Sequence, residues 1–369
     1  MSVQATSEID ECAGRIDALR ENIAKASCDA FVSLAPPTNQ YLTGFRGSTS
    51  GVIVTETQAL FLCDFRYTQQ AADQVSKGYE VREISGPFGQ RVSQHLNDTG
   101  ALRAAFEPAY TTVSDHADLA KRFDGELVAA GSVVAPLRVR KSASEIAKIE
   151  AALQLSERVL QDVTSTLSAG QTERSVAAQL EHGFKQQGAT KASFDTISLF
   201  GARASLPHGE PGDQELKSGM NVLFDFGCIL NGYCSDLTRC YAFGKIPGSW
   251  YETIYNLVLE AQLRSIDAIR PGAIGREVDA VARDIITDGG HGDHFGHGLG
   301  HGVGIEIHES LRLNPQSETL LEPGMVVTVE PGIYVPGQGG VRIEDVVVVT
   351  EDGCRVLSSA PKALEVLGT

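Results

Sequence analysis

Four carboxylates and one histidine in the C-terminal part of the chain have the types and spacing of a two-metal site: Asp225, Asp236, His301, Glu330 and Glu344. Such a set is rich in hard oxygen donors. It suits manganese first, with cobalt, iron or zinc as alternatives. One divalent ion would be overcharged by four anions, whereas two balance them. Two ions can also hold a bridging water as hydroxide and clamp the reacting oxygen. The chemistry expected is therefore hydrolysis by a hydroxide that bridges two divalent metals.

An internal repeat ties these residues together. Leu216–Asp225 resembles Leu321–Glu330, with Leu, Gly, Met and Val matching at a constant offset of 105 residues. Each copy reads as a turn feeding a strand that ends in a carboxylate, followed by a second strand with another. In the first copy Asn231-Gly232 is a strong hairpin signal, because both residues tolerate positive φ. A two-residue turn sets Leu230 opposite Tyr233, hence Asp225 opposite Thr238, with Asp236 diagonal to Asp225. Diagonal neighbours are about 7–8 Å apart, close enough for their side chains to converge. Buried together, two acids repel and lose hydration unless a cation compensates. In the second copy Glu344 and Asp345 compete, and strand neighbours face opposite ways. Analogy with the first copy selects Glu344. Packing alone does not explain a repeat whose matched ends are both acidic.

Between the copies, five of the nine histidines (His291, His294, His297, His301 and His308) fall within eighteen positions. The stretch from Gly296 to Gly304 alternates glycine almost strictly. Glycine weakens regular structure, so close approach of the backbone to a ligand is one expected reason for it. His291 and His294 precede the glycine run and read as incidental loop residues.

The elements that must carry these residues divide into two parts. Residues 1–138 read as an α/β domain, with helical periodicity over 8–26 (Ile9, Cys12, Ile16, Leu19, Ile23). Strand-like runs follow at Ala30–Leu34, Gly51–Thr55 and Ala59–Cys63. Val133–Lys141 reads as an apolar strand joined to a basic linker. Residues 139–369 form the second domain. Ser142-Ala143-Ser144-Glu145 is a capping box. Ile146, Ile149, Leu153, Val159, Leu160, Val163 and Leu167 then mark one face of a long amphipathic helix. Ser168-Ala169-Gly170 is expected to end it.

The 369 residues, 42% hydrophobic and 21% charged, describe a two-domain globular protein. A net charge of −16 argues against nucleic acid and anionic lipid as partners. Seven cysteines without a CxxC suggest neither a zinc ribbon nor a disulfide framework. Cys228, Cys234 and Cys240 read as small buried strand residues. With no signal-peptide centre and no membrane-spanning run, a cytoplasmic setting is the expectation.

The C-terminal part resembles the pita-bread fold of the creatinase/aminopeptidase P/methionine aminopeptidase superfamily, and the five residues above resemble its dinuclear ligand set. His297–Glu309 is similar to the histidine signature of the proline-directed members. Tyr41-Leu42-Thr43-Gly44-Phe45 and Arg66-Tyr67-Thr68-Gln69-Gln70-Ala71 resemble segments of the creatinase-type N-terminal domain, and Val139–Ala151 its linker helix. The fold so implied is α+β, a pseudo-two-fold pita-bread domain behind a smaller α/β domain.

The resemblance implies that Asp225 holds one metal and His301 the other. It makes Asp236 and Glu344 bridges, and Glu330 both ligand and base. His308 would contact the scissile peptide, His208 would lie near the leaving amine, His297 would line the proline side, and Arg342 would orient the cage. The implied reaction is hydrolysis of the bond before proline, by an Xaa-Pro dipeptidase or aminopeptidase P. Its partner is a proline-containing peptide and its implied assembly a homodimer. Phe200-Gly201-Ala202-Arg203 departs from the more usual Ser-Gly-Xaa-Asn pattern, and Arg203 is expected to add a cation at the substrate entrance.

Rival readings within the fold are creatinase, which lacks the full carboxylate cage, and a pita-bread enzyme acting on a non-peptide small molecule. A non-catalytic binding domain would have lost the ligands. Methionine aminopeptidase lacks this N-terminal domain.

Overall fold

The computed structural model describes residues 3–131 and 133–368, and side chains from residue 14 onward. Met1–Arg138 and Val139–Thr369 form two compact units.

The first unit is built on a six-stranded sheet. Its strands are β1 (Ala30–Ser33), β2 (Gly51–Thr55), β3 (Ala59–Cys63), β4 (Glu80–Glu83), β5 (Arg103–Phe106) and β6 (Glu126–Ala129), in the order β4-β3-β2-β1-β5-β6. The three runs expected as strands are β1 to β3, buried on both faces. That double burial is why they read as unbroken apolar runs. Strand β4, Glu-Val-Arg-Glu, lies largely in solvent and carries no such signal. The helix Val3–Lys25 buries Ile16, Leu19 and Ile23. The side chains of Ile9 and Cys12 lie outside the described residues. The expected strand after Val133 is instead a helical turn, Ala135–Val139. Pro136 near its start explains the change, since the fixed φ of proline suits a first helical turn.

The second unit repeats a plan of two helices followed by a long hairpin. Ala143–Ser165 and Glu173–Gln186 precede the first hairpin, and Ser249–Ala268 and Gly275–Asp288 the second. The capping box forms as expected: the Ser142 hydroxyl accepts from the Glu145 N–H, and the Glu145 carboxylate accepts from the Ser142 N–H. The helix ends at Ser165, earlier than expected. Gly170 is left-handed, but it serves a later turn, where its N–H bonds the Leu216 carbonyl.

Strands β7 (Lys191–Ala192) and β8 (Ile197–Phe200) lead into the first hairpin. It runs β9 (Asn221–Phe226), β10 (Cys228–Leu230), β11 (Tyr233–Cys234) and β12 (Leu237–Phe243). Leu230 pairs with Tyr233 and Asp225 with Thr238, the register that the Asn231-Gly232 turn requires. Both turn residues have positive φ, 52° and 82°. Cys228, Cys234 and Cys240 are buried along it.

The second half holds β13 (Gly300–Gly302), β14 (Glu309–Leu313), β15 (Val326–Val329), β16 (Gly332–Val335), β17 (Gly339–Arg342), β18 (Asp345–Val349) and β19 (Cys354–Val356). Strand β20 (Val366–Leu367) returns to the first half. The two main sheets run β20-β12-β9-β8 and β14-β13-β15-β18-β19. The repeat is real in backbone terms: Gly219 and Gly324, 105 apart, both turn into their strands with positive φ, 88° and 87°.

Gly300, beside His301, has a cause of its own in the fold. A Cβ at Gly300 would collide with the Thr328 carbonyl. Backbone packed on backbone, strand β13 against β15, demands glycine there.

Candidate active site

Both hairpins lose ladder pairing at their acids. The first breaks between β9–β12 and β10–β11, at Gly227 and Asp236. The second breaks between β15–β18 and β16–β17, at Glu330-Pro331 and Ile343-Glu344. Asp236, Glu330 and Glu344 fall in these breaks, whereas Asp225 stays paired with Thr238 just before the first one. Donor atoms of Asp225, Asp236 and Glu344 lie within 4.8 Å of one another. His301 Nε2 stands 3.2 Å from Glu330 Oε1 and 3.5 Å from Asp236 Oδ2. Its Nδ1 faces the Gly302 carbonyl at 3.2 Å. Nε2 thus points at the carboxylates, the orientation of a metal-ligating histidine.

The charges are unevenly held. Burial, with Glu344, Asp225 and Glu330 as neighbours, pushes Asp236 well above its ordinary value. Burial, Glu330 and Asp225 do the same to Glu344. Asp225 is raised by burial despite the Arg342 guanidinium 2.6 Å away. Burial also opposes ionisation of Glu330, but the His301 hydrogen bond and charge outweigh it and hold Glu330 at about 2. Two further oxygens, Asp225 Oδ1 and Glu344 Oε1, are buried and take no hydrogen bond. Crowded acids with unpartnered buried oxygens are costly alone. Divalent cations are the partners that this donor set fits.

Asp345 points elsewhere, as strand alternation requires. It meets Arg239 at 2.8 Å, Lys362 at 2.7 Å and Gln262 at 2.8 Å, in a buried clasp on the C-terminal segment.

Around the acids lie the other expected residues. His308 is exposed and its ring meets that of His301 edge-on, 4.3 Å between centroids. Partial desolvation, with His301 and Arg312 nearby, pushes it down to about 4. His297 receives a 2.9 Å hydrogen bond at Nε2 from Tyr334, since its Nδ1 is committed to the Gly298 carbonyl at 2.8 Å. Burial lowers its pKa, so the ring is neutral. His208 is exposed, beside Pro207, whose carbonyl accepts from Arg342 at 3.4 Å. It lines an open depression of about 710 Å³ with Arg174, Arg203 and Leu206. His291 and His294 contact each other through their Nδ1 atoms, 3.1 Å apart.

Arg203, expected as a cation at the substrate entrance, lines the same depression as His208 and carries a partner of its own. It is paired with Glu173, a fully buried carboxylate, at 2.8 Å and donates to the Glu210 carbonyl at 2.6 Å. Glu173 also accepts from the Phe200 and Gly212 N–H groups. Arg203 therefore neutralises a structural anion.

Three residues escaped the sequence reading of the site. Tyr334 accepts from Arg342 at 2.6 Å while donating to His297, so Asp225, Arg342, Tyr334 and His297 form one chain of contacts. Thr328 accepts from the His301 N–H at 3.0 Å and donates to Glu330 at 2.9 Å. Thr238 donates to Glu344 at 2.8 Å and accepts from Arg342 at 3.1 Å. A signal existed for Thr328, which lies two residues before Glu330 and so shares its face. Thr238 was visible as the partner of Asp225. Nothing local marked Tyr334.

Residues 147–351 match metallopeptidase family M24, and residues 15–140 match the creatinase/prolidase N-terminal domain. The chain belongs to metallopeptidase family M24. Its fold is accordingly a pita-bread catalytic domain with a creatinase-type N-terminal domain. This M24 chain is 41% identical to an uncharacterized peptidase of Bacillus subtilis (strain 168), covering 96% of this chain and 100% of the relative. It is similar in structure to an Xaa-Pro dipeptidase of Bacillus anthracis, with TM-score 0.93, 40% identity and coverage of 96% of this chain and 100% of that one. An X-Pro aminopeptidase of Thermotoga maritima MSB8 follows, with TM-score 0.88, 34% identity and coverage of 94% and 99%. The M24 assignment makes the chain a metal-dependent peptidase. Among the described residues, no helix is long and apolar enough to cross a membrane.

Proposed function

We propose that this peptidase hydrolyses the peptide bond preceding proline, as an Xaa-Pro dipeptidase or aminopeptidase. Asp225, Asp236, His301, Glu330 and Glu344 would hold two divalent ions, manganese first among them. The observation that carries the reading is the convergence of Asp225, Asp236 and Glu344 within 4.8 Å, two of them with buried unpartnered oxygens. The solved relatives at 40% and 34% identity are proline-directed peptidases, which supports the substrate class.

Two divalent ions supply, when bound, an activated water and polarisation of the scissile carbonyl. The side chains do the rest. Glu330, set beside His301 at 3.2 Å, accepts the proton of the attacking water. His308, neutral at physiological pH because its pKa is near 4, donates a hydrogen bond to the scissile carbonyl oxygen. His208, beside the Arg342-anchored Pro207 carbonyl, serves the leaving amine. His297, uncharged and fixed by Tyr334, gives the proline ring a neutral wall. Arg342 keeps Asp225 aimed into the cage.

The test is metal-depleted protein reloaded with manganese and offered Ala-Pro, Ala-Pro-Ala and creatine. Cleavage of a proline peptide, and not of creatine, is expected. Failure on both peptides with every divalent metal overturns the reading.

A further inference from the structure

We infer that the buried ion pair Lys141–Glu309 is a positioning device for His308. The inference rests on the role proposed for His308 above. Lys141 Nζ lies 2.9 Å from Glu309 Oε2, and the two side chains are 1% and 5% exposed. A buried pair of this kind is a poor source of stability, since apolar residues of the same volume do as well. Its particular property is fixed geometry.

Glu309 sits one residue after His308, where β14 begins. The Glu309 side chain is buried, while that of His308, in the bend just before the strand, is exposed. Holding the Glu309 carboxylate inward therefore turns the His308 imidazole outward, against His301. The other Glu309 oxygen accepts from the Ile305 N–H at 3.1 Å, folding the loop back over the carboxylate. Gly304 allows this: a Cβ there would stand 2.6–2.9 Å from the Glu309 carboxyl atoms. Cys234 pins the same loop through its N–H to the Gly304 carbonyl, 2.8 Å.

Lys141 is itself immobilised. Its N–H donates to the Gly324 carbonyl at 2.7 Å, in the turn that starts β15. The next residue is Ser142, the cap of the long helix. The Glu145 of that cap accepts from the Tyr233 hydroxyl at 3.0 Å, at the tip of the first hairpin. Lys141 thus stands where helix cap, repeat turn and histidine loop meet, and it transmits their rigidity to His308.

The test uses the full chain loaded with manganese and whichever proline peptide it cleaves. Lys141→Met should lower kcat between about tenfold and a hundredfold, the scale of a misplaced reacting group. KM and the content of two metals should stay close to wild type. In a His308→Ala background the same change should cost no more than about twofold. An undiminished loss in that background shows that Lys141 acts independently of His308 and overturns the inference. Because Lys141→Met takes the lysine charge away from a buried carboxylate, Lys141→Met with Glu309→Met is the second variant. It should retain its thermal transition yet lose turnover, and wild-type kcat in it overturns the inference. NMR of the imidazole protons supplies a readout without substrate. The ring-current shift of His308 beside His301 should vanish in the double variant, and its persistence refutes the positioning. Wild-type turnover of His308→Ala alone would sink the parent role itself, before any Lys141 variant is made.

Discussion

The two hairpins of the catalytic unit share a plan and differ in how they set their acids. In the first, Asp225 pairs across the ladder with Thr238, and Asp236 lies diagonal to it. In the second, the register carried one step beyond Val329–Asp345 puts Glu330 directly opposite Glu344. An exact copy of the first would have placed the second acid at position 342, where Arg342 stands. The substitution is instructive. The arginine reaches back across the pseudo-two-fold to Asp225, while Glu344 accepts from Thr238 of the other hairpin. Each hairpin is thus oriented by a side chain of the other. Near-symmetry creates the crowd of carboxylates, and its imperfection supplies the groups that orient them.

The largest effect expected is from removing one acid of each hairpin. Asp236→Ala and Glu344→Ala should each lose both ions and at least about a thousandfold in kcat/KM, since a metal contributes several kcal/mol of charge stabilisation. Elemental analysis decides it. A variant that keeps two ions at full occupancy does not bridge, and the hairpins then contribute unequally. His308→Ala, outside both hairpins, should leave metal content unchanged and lower turnover about a hundredfold. Wild-type turnover would contradict its role. Tyr334→Phe removes the link between Arg342 and His297 and should cost about tenfold, the lower end of the range for groups that support a metal site. A loss confined to KM would point to the proline wall and not to the cage.

A smaller effect concerns acidity. Asp225, Asp236 and Glu344 have raised pKa values in the metal-free fold, so the folded state binds more protons than the unfolded chain. Their contribution is present at low pH and is lost as pH rises from the ordinary carboxylate range through their folded values. Glu330, held at about 2, acts oppositely, and its contribution is lost only as pH falls toward that value. The lowered His297 and His308 oppose this, since at pH 5 the unfolded chain takes up protons that the folded rings refuse. Three raised acids, two of them well above their ordinary values, nonetheless predict a stripped protein that is less stable at pH 8 than at pH 5. The rise in Tm on adding manganese should be larger at pH 8. An equal rise at both pH values would mean that the acids are not protonated in the stripped fold.

Much of this was legible beforehand because it is local. The Asn231-Gly232 turn sets the register of the first hairpin, and the period of two carries that register to Asp225 and Thr238. The same alternation separates Glu344 from Asp345. The capping box at Ser142 needs only four residues. Less was legible where a local pattern has two causes. Glycines beside His301 suit a ligand or a neighbouring strand equally well, and the neighbour of Gly300 is Thr328. Arg203 reads only as a cation until Glu173, 30 residues earlier, folds beneath it.

By itself, then, the sequence determined the donor types, the turns that aim them, and the repeat that brings two pairs of acids into one domain. Only the tertiary structure decided which group restrains which. The contacts Asp225–Arg342 and Thr238–Glu344 join residues 117 and 106 apart. No helical or strand period extends so far, and such pairs are chosen by the packing of the two halves.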